Sequence, residues 1–262
     1  VRSQQVELAF SLKTGTLSAI RDRESGRVLL STFPDVAGLD LLVGGKWLCQ
    51  DQGAVWVYYG HRTRREEDCG VLELDQRAGD WLATSTYRLE PAGSAVRRDV
   101  TLTYTGTETP TVRLIRFVLD GMGLPTAADA QYSLPSNWPP FTRPLRDLTP
   151  GRRVHETGGT MSGHFVHVHS ESAGVGIVAT MVCDTEGVTT SVIEQQGNVR
   201  VLHEIGAAFK ARPGKPETFG SQLIAVTRGT WRHALRQARD LYRLVGLRLP
   251  EDRLAAARGT VF

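Results

Sequence analysis

The chain has 262 residues, 40% hydrophobic and 23% charged, with 27 Gly and 12 Pro spread along it. That suits a protein with a real core, built as one large all-β domain or two smaller ones. The formal charge is only +3, and the basic residues are interleaved with acids, as in RTRREED and RDRESGR. No clustered basic face of the kind that binds nucleic acid is therefore predicted.

Lysine occurs only at 13, 46, 210 and 215, so 27 of the 31 basic residues are arginine, which reads as coding bias. Cys49, Cys69 and Cys183 lie far apart without CxxC or Cys/His spacing. Neither a zinc site nor a redox pair is predicted, and a single disulfide is left open. No apolar run approaches the roughly 20 residues that span a bilayer, so no membrane partner is expected, and no signal-peptide pattern is present. The sequence opens on Val rather than Met, consistent with removal of a leader or tag, and localisation is left open.

In chain order, period-two alternation broken by turn residues predicts antiparallel strands. VELAF (6–10), TLSAIRD (16–22) and RVLLS (27–31) come first, and LDLLVGGKWLC (39–49) reads as a hairpin on Gly44-Gly45. AVWVYY, GVLELDQ, DWLATSTYRLE, AVRRDVTLTYT and TVRLIRFVL continue the pattern to residue 119. In DWLATSTYRLE one face carries Trp81, Ala83, Ser85, Tyr87 and Leu89, as a large sandwich would need. Residues 121–162 break the alternation with six prolines between Pro125 and Pro150, predicting a long ordered loop or excursion. Strands resume over 163–227. TWRHALRQARDLYRLVG is the one strong helix, with an apolar stripe through Trp231, Leu235, Ala238, Leu241 and Val245, capped by Thr230 and stopped at Gly246.

Two motifs in GHFVHVHSESAGVGIVATMV suggest chemistry. GVGIVA resembles a dinucleotide fingerprint, but the following IVATMVCDTEG is β-branched and leaves no room for a helix, so a hairpin turning at 170–174 is expected. His167 and His169 share a strand face with Phe165. The plain reading is two half-exposed side chains; sugar contact or a metal are the alternatives, and no local segment supplies a third ligand. No metal or other cofactor is expected. Glu66, Glu67 and Asp68 read as a solvated turn rather than a glycosidase carboxylate pair. No GxSxG, HExxH or P-loop occurs. Trp56, Tyr58 and Tyr59, with Trp138 in the Pro-rich segment, are candidates to stack on sugar rings, although strand aromatics, Trp56 above all, are ordinarily packed inside.

VELAFSLKTGTLSAIRDRESGRVLL resembles the opening of the N-terminal β-supersandwich domains of bacterial multidomain glycoside hydrolases, and GTWRHALRQARDLYRLVGLRLPEDR resembles the linker helix leading from that sandwich into a catalytic barrel. The resemblance implies a galactose-mutarotase-like fold: an all-β, two-sheet antiparallel supersandwich over 1–228, then a linker helix and tail over 229–262 towards a further domain. It implies a non-catalytic domain that supports the barrel and contacts carbohydrate, with carbohydrate and the downstream catalytic domain as partners. An aldose 1-epimerase-like enzyme is the alternative reading. Its acid/base set would be His167, His169 and Glu204, since mutarotases use histidines with a carboxylate on the concave face. A structural interaction module is the third.

Overall fold

The computed structural model describes residues 1–67, 69–90, 93–122, 128–134, 141–155, 165–183 and 187–230, together with Gln237 and Leu241. The strands run β1 (Val6–Phe10), β2 (Leu17–Asp22), β3 (Val28–Ser31), β4 (Leu39–Val43), β5 (Lys46–Trp47), β6 (Val57–Glu66), β7 (Cys69–Ala78), β8 (Trp81–Leu89) and β9 (Ala95–Tyr104). They continue as β10 (Thr111–Asp120), β11 (Gln131–Leu134), β12 (Phe141–Pro144), β13 (Val154–His155), β14 (Phe165–Ser170), β15 (Val175–Val182), β16 (Val188–Gln195), β17 (Asn198–Lys210) and β18 (Pro216–Arg228). All sheet pairings between these strands are antiparallel, in a three-stranded meander β1-β2-β3, a six-stranded sheet β13-β16-β17-β10-β4-β5 and a nine-stranded sheet β12-β11-β14-β15-β18-β9-β8-β7-β6. The expected all-β sandwich is what forms.

Alternation assigns the faces. Trp81, Ala83, Ser85, Tyr87 and Leu89 all turn inward on β8. Gly44 and Gly45, at φ +59° and +83°, make the β4–β5 turn that only glycine enters without strain. The interior forms two apolar clusters, one around Leu74, Tyr87, Val96, Val192 and Val201, the other around Ala83, Val100, Phe117, Val188 and Ile205. Between them runs a buried polar layer of Ser85, Arg98, Thr190, His203 and Gln222. The Arg98 guanidinium donates to the Gly38 carbonyl, Gln222 Oε1 and Ser85 Oγ, each at 3.3 Å, and lies 5.7 Å and 5.5 Å from the ring centres of Tyr87 and Phe117. Gln222 Nε2 donates to His203 Nδ1 at 3.1 Å.

Two expectations need correction. The segment 121–162 is not all loop: it supplies β11, β12 and β13, with Pro144 paired to Gln131 on the outermost strand of the nine-stranded sheet. An edge strand tolerates proline because one side of its backbone has no ladder partner to lose. Strand β6 also runs on through HRTRRE to Glu66; Glu67, at φ +48°, lies in the turn, and Asp68 is outside the described residues.

The outer face of the nine-stranded sheet is divided. Over β6–β9 it is a lattice of ion pairs, in which Arg62 reaches Glu73 and Asp75, Arg64 reaches Glu73 and Glu66, and Arg88 joins Glu66 to Asp99. Over β15 and β18 it is apolar, and Val178, Leu223 and Ala225 pack with Leu241. The predicted helix is not among the described elements: of its residues only Gln237 and Leu241, both with helical backbone, are described, and Trp231 and the rest of the stripe lie outside the described residues. No helix among the described residues is long and apolar enough to cross a membrane.

Candidate functional site: a cleft on the six-stranded sheet

Residues whose neighbours in sequence point into the core must point out. On β4, β10, β16 and β17 this directs Asp40, Arg116, Val118, Ile193, Arg200, Leu202 and Glu204 to the outer face of the six-stranded sheet. With the segments 33–37 and 49–56 as its walls, that face floors a cleft of about 1230 Å³. Small-molecule pockets run to roughly 300 to 1,000 Å³, so the cleft has room for an extended ligand.

Of its lining residues, Arg116 Nε donates to Glu204 Oε1 at 2.7 Å, and Arg153 Nη1 reaches the same oxygen at 3.1 Å, so the acid holds both arginines without itself lining the cleft. The Arg116 guanidinium also donates to Gln50 Oε1 at 3.2 Å and lies 3.5 Å from the centre of the Trp47 ring, a cation–π contact. Arg200 is held by Asp120 at 2.6 Å, which also accepts from the Phe33 amide and Asn198. Asp40 accepts the amides of Leu41 and Cys49. Burial, and after it the Asp40 carboxylate, push the Cys49 thiol far up, so it is no nucleophile. None of the three cysteines is in a disulfide.

Of the residues singled out from sequence, only Glu204 and Trp56 belong to this region. Trp56 forms part of the cleft wall but is 1% exposed, with its indole N–H donating to the Leu39 carbonyl at 2.8 Å. Tyr58 packs at the edge of the core, its hydroxyl against His61 Nδ1 at 2.5 Å, and Tyr59 is exposed. Trp138 lies outside the described residues.

The histidines are the main correction. His167 and His169 are 1% and 4% exposed rather than half-exposed. They lie on the outer face of the nine-stranded sheet, with the Val178 and Leu241 cluster, while Glu204 is on the six-stranded sheet, so the three do not share a site. His167 Nε2 meets Thr227 Oγ1 at 3.1 Å, the two imidazoles are 5.4 Å apart, and Glu171 comes within 3.7 Å of His169. Burial, then the neighbouring His169, lower the His167 pKa to about 3; burial also lowers that of His169, against the opposing pull of Glu171 and Asp129. Among the described residues no three His, Cys, Asp or Glu side chains converge as a metal site would require. From Val175 on, GVGIVA is strand β15, as its β-branched continuation predicts, with Gly174 in the preceding turn, and Gly176 serves packing. A Cβ there would stand 2.6 Å from the Val168 carbonyl and 2.9 Å from His167 Nε2.

Arg116 and Arg153 were not visible as site residues in sequence. The available signal was an arginine inside an apolar strand run, LIRFVL, where a charge persists only if the opposite sheet face is polar.

No family model and no curated protein matches the sequence. Solved structures do match. The alpha-galactosidase from Lactobacillus brevis superposes with a TM-score of 0.63 at 10% identity, covering 92% of this chain and 41% of that one. The GH36 alpha-galactosidase AgaA from Geobacillus stearothermophilus gives 0.60 at 12% identity, covering 89% and 41%. A TPR-domain containing protein from Parabacteroides distasonis gives 0.63 at 13%, covering 95% and 48%. At such identities the shared property is the fold, and the chain spans less than half the length of each. The sandwich described above is thus a fold that glycoside hydrolase chains contain.

Proposed function

We propose that the chain is a non-catalytic, galactose-mutarotase-like domain of a glycoside hydrolase, which supports a downstream catalytic domain and contacts carbohydrate through the cleft on the six-stranded sheet. The observation that carries this reading is the Arg116–Glu204–Arg153 cluster. One oxygen of the Glu204 carboxylate accepts from both guanidiniums. Its hydrogen-bonding capacity is suited to fixing the arginines that face a ligand. The separation of His167 and His169 from Glu204 argues against the epimerase alternative, which needs acid and base on one substrate.

A docking role is supported by the exposed apolar side chains. Phe33 and Val55 lie on the cleft wall, and Leu12, Val57 and Tyr59 lie beside it, where the Tyr58 amide donates to the Lys13 carbonyl and Lys13 pairs with Asp35. Apolar groups gathered at one rim mark a contact surface, and the catalytic domain is the partner this reading assigns to it.

Saturation-transfer NMR on the chain with a panel of mono- and oligosaccharides, following α/β anomer exchange in the same tubes, tests the reading. Saturation without accelerated exchange is the expected result. Accelerated exchange abolished by Glu204→Gln would replace it with the epimerase reading.

A further inference from the structure

Strand β12 is the last of the nine-stranded sheet and β13 the last of the six-stranded sheet, and the segment 145–153 joins them. It is tied to β16 by the Gly151 amide, which donates to the Glu194 carbonyl at 2.8 Å. Beneath it lies a second cavity of about 370 Å³, lined by Arg143, Asp147, Arg152, Arg153 and His155, with Tyr132 also in its wall. Three guanidiniums thus face one carboxylate. Arg153 lines both this cavity and the cleft, and the acid it touches, Glu204, is shared with Arg116 at the shorter distance. Excess positive charge therefore collects where the two spaces meet.

Resting on the reading that the cleft takes carbohydrate, we propose that cleft and cavity form one groove for an acidic saccharide. A carboxylate sits in the second cavity between Arg152 and Arg153, and the adjoining sugar rings extend into the cleft towards Arg116. A guanidinium presents paired N–H donors that match the two oxygens of a carboxylate, which gives directional selection as well as attraction. Arg143, in the same lining, adds positive potential that is screened by salt.

The test is calorimetric titration of the whole chain with a galacturonic acid trisaccharide, the neutral galactose trisaccharide of the same linkage, and sodium sulfate. The acidic trisaccharide is expected to bind at least about tenfold more tightly than the neutral one, with a preference that shrinks as salt rises. Arg152→Gln, at an exposed position outside the Glu204 cluster, is expected to remove most of that preference, and Arg153→Gln the rest, with melting curves confirming that both variants fold. Equal affinity for the two trisaccharides would overturn the acidic-ligand inference, and a preference that survives both substitutions would overturn the seat between Arg152 and Arg153; either leaves the carbohydrate reading standing. Sulfate binding as tightly as the acidic trisaccharide would reduce the groove to a simple anion site and overturn the saccharide part. Binding of neither trisaccharide would end both readings together.

Discussion

Arg116 and Glu204 are directly opposite each other in the β10–β17 ladder, and their side chains close a 2.7 Å ion pair with both groups nearly buried. Removing one partner of such a pair costs more than the pair contributes, because a desolvated charge is left behind. Glu204→Gln is therefore expected to destabilise the chain by roughly 3 kcal/mol. The double variant Arg116→Met/Glu204→Gln is expected to recover much of that loss. Chemical denaturation of the three proteins checks it; a double variant weaker than Glu204→Gln would show that the Gln50 and Trp47 contacts of Arg116 outweigh the cost of leaving its charge without the acid.

The buried histidines set an acid sensitivity. Their pKa values are lowered in the fold, so the unfolded chain binds more protons over the intervening pH range. Their neutral forms contribute fully above about 6.5, and the contribution is lost as pH falls from there towards about 3 for His167. The slope for one such group is about 1.4 kcal/mol per pH unit. His167→Gln is expected to flatten the dependence of melting temperature on pH across this window; an unchanged slope would mean that His167 titrates normally.

Gly176→Ala is expected to cost about 2 kcal/mol, as overpacking a filled site does. The new methyl would meet the Val168 carbonyl, which is ladder backbone and cannot step aside, as well as the His167 ring and Thr227. A melting temperature equal to that of the parent would show that β14 and β15 can separate locally.

Leu241→Ala probes the apolar half of the nine-stranded sheet. The side chain is 3% exposed against Val178, Leu223 and Ala225, and its truncation is expected to cost about 2 to 5 kcal/mol. The same loss should follow deletion of residues 229–262. If neither change lowers the melting temperature, that segment does not contribute to the stability of the sandwich.

Strand identity was legible because alternation and turn glycines are local properties: β1, the β4–β5 hairpin and the inward face of β8 all follow from spacing alone. Burial of His167 and His169 was not, because it depends on what covers the far side of their sheet. A period of two tells which residues share a face and leaves open which face meets solvent. Glu204 could be nominated as a polar residue on a late strand, but its partners Arg116 and Arg153 come from β10 and from the segment before β13, and only the sheet order brings them together. The strands within 121–162 were hidden by prolines whose tolerance depends on an edge position that sequence does not display.

The polar layer through the middle of the sandwich also acts as an index mark for strand alignment. A slip of two residues along β9 keeps every side chain on its original face, so apolar patterning alone penalises it weakly. Here such a slip would carry Arg98 into the place of Val96 or Val100, among side chains that offer its guanidinium no acceptor, and would strand Gln222 and Ser85 without their donor. One arginine thereby makes the alternative alignments of three neighbouring strands costly, and helps a long, repetitive sheet to settle on a single pairing.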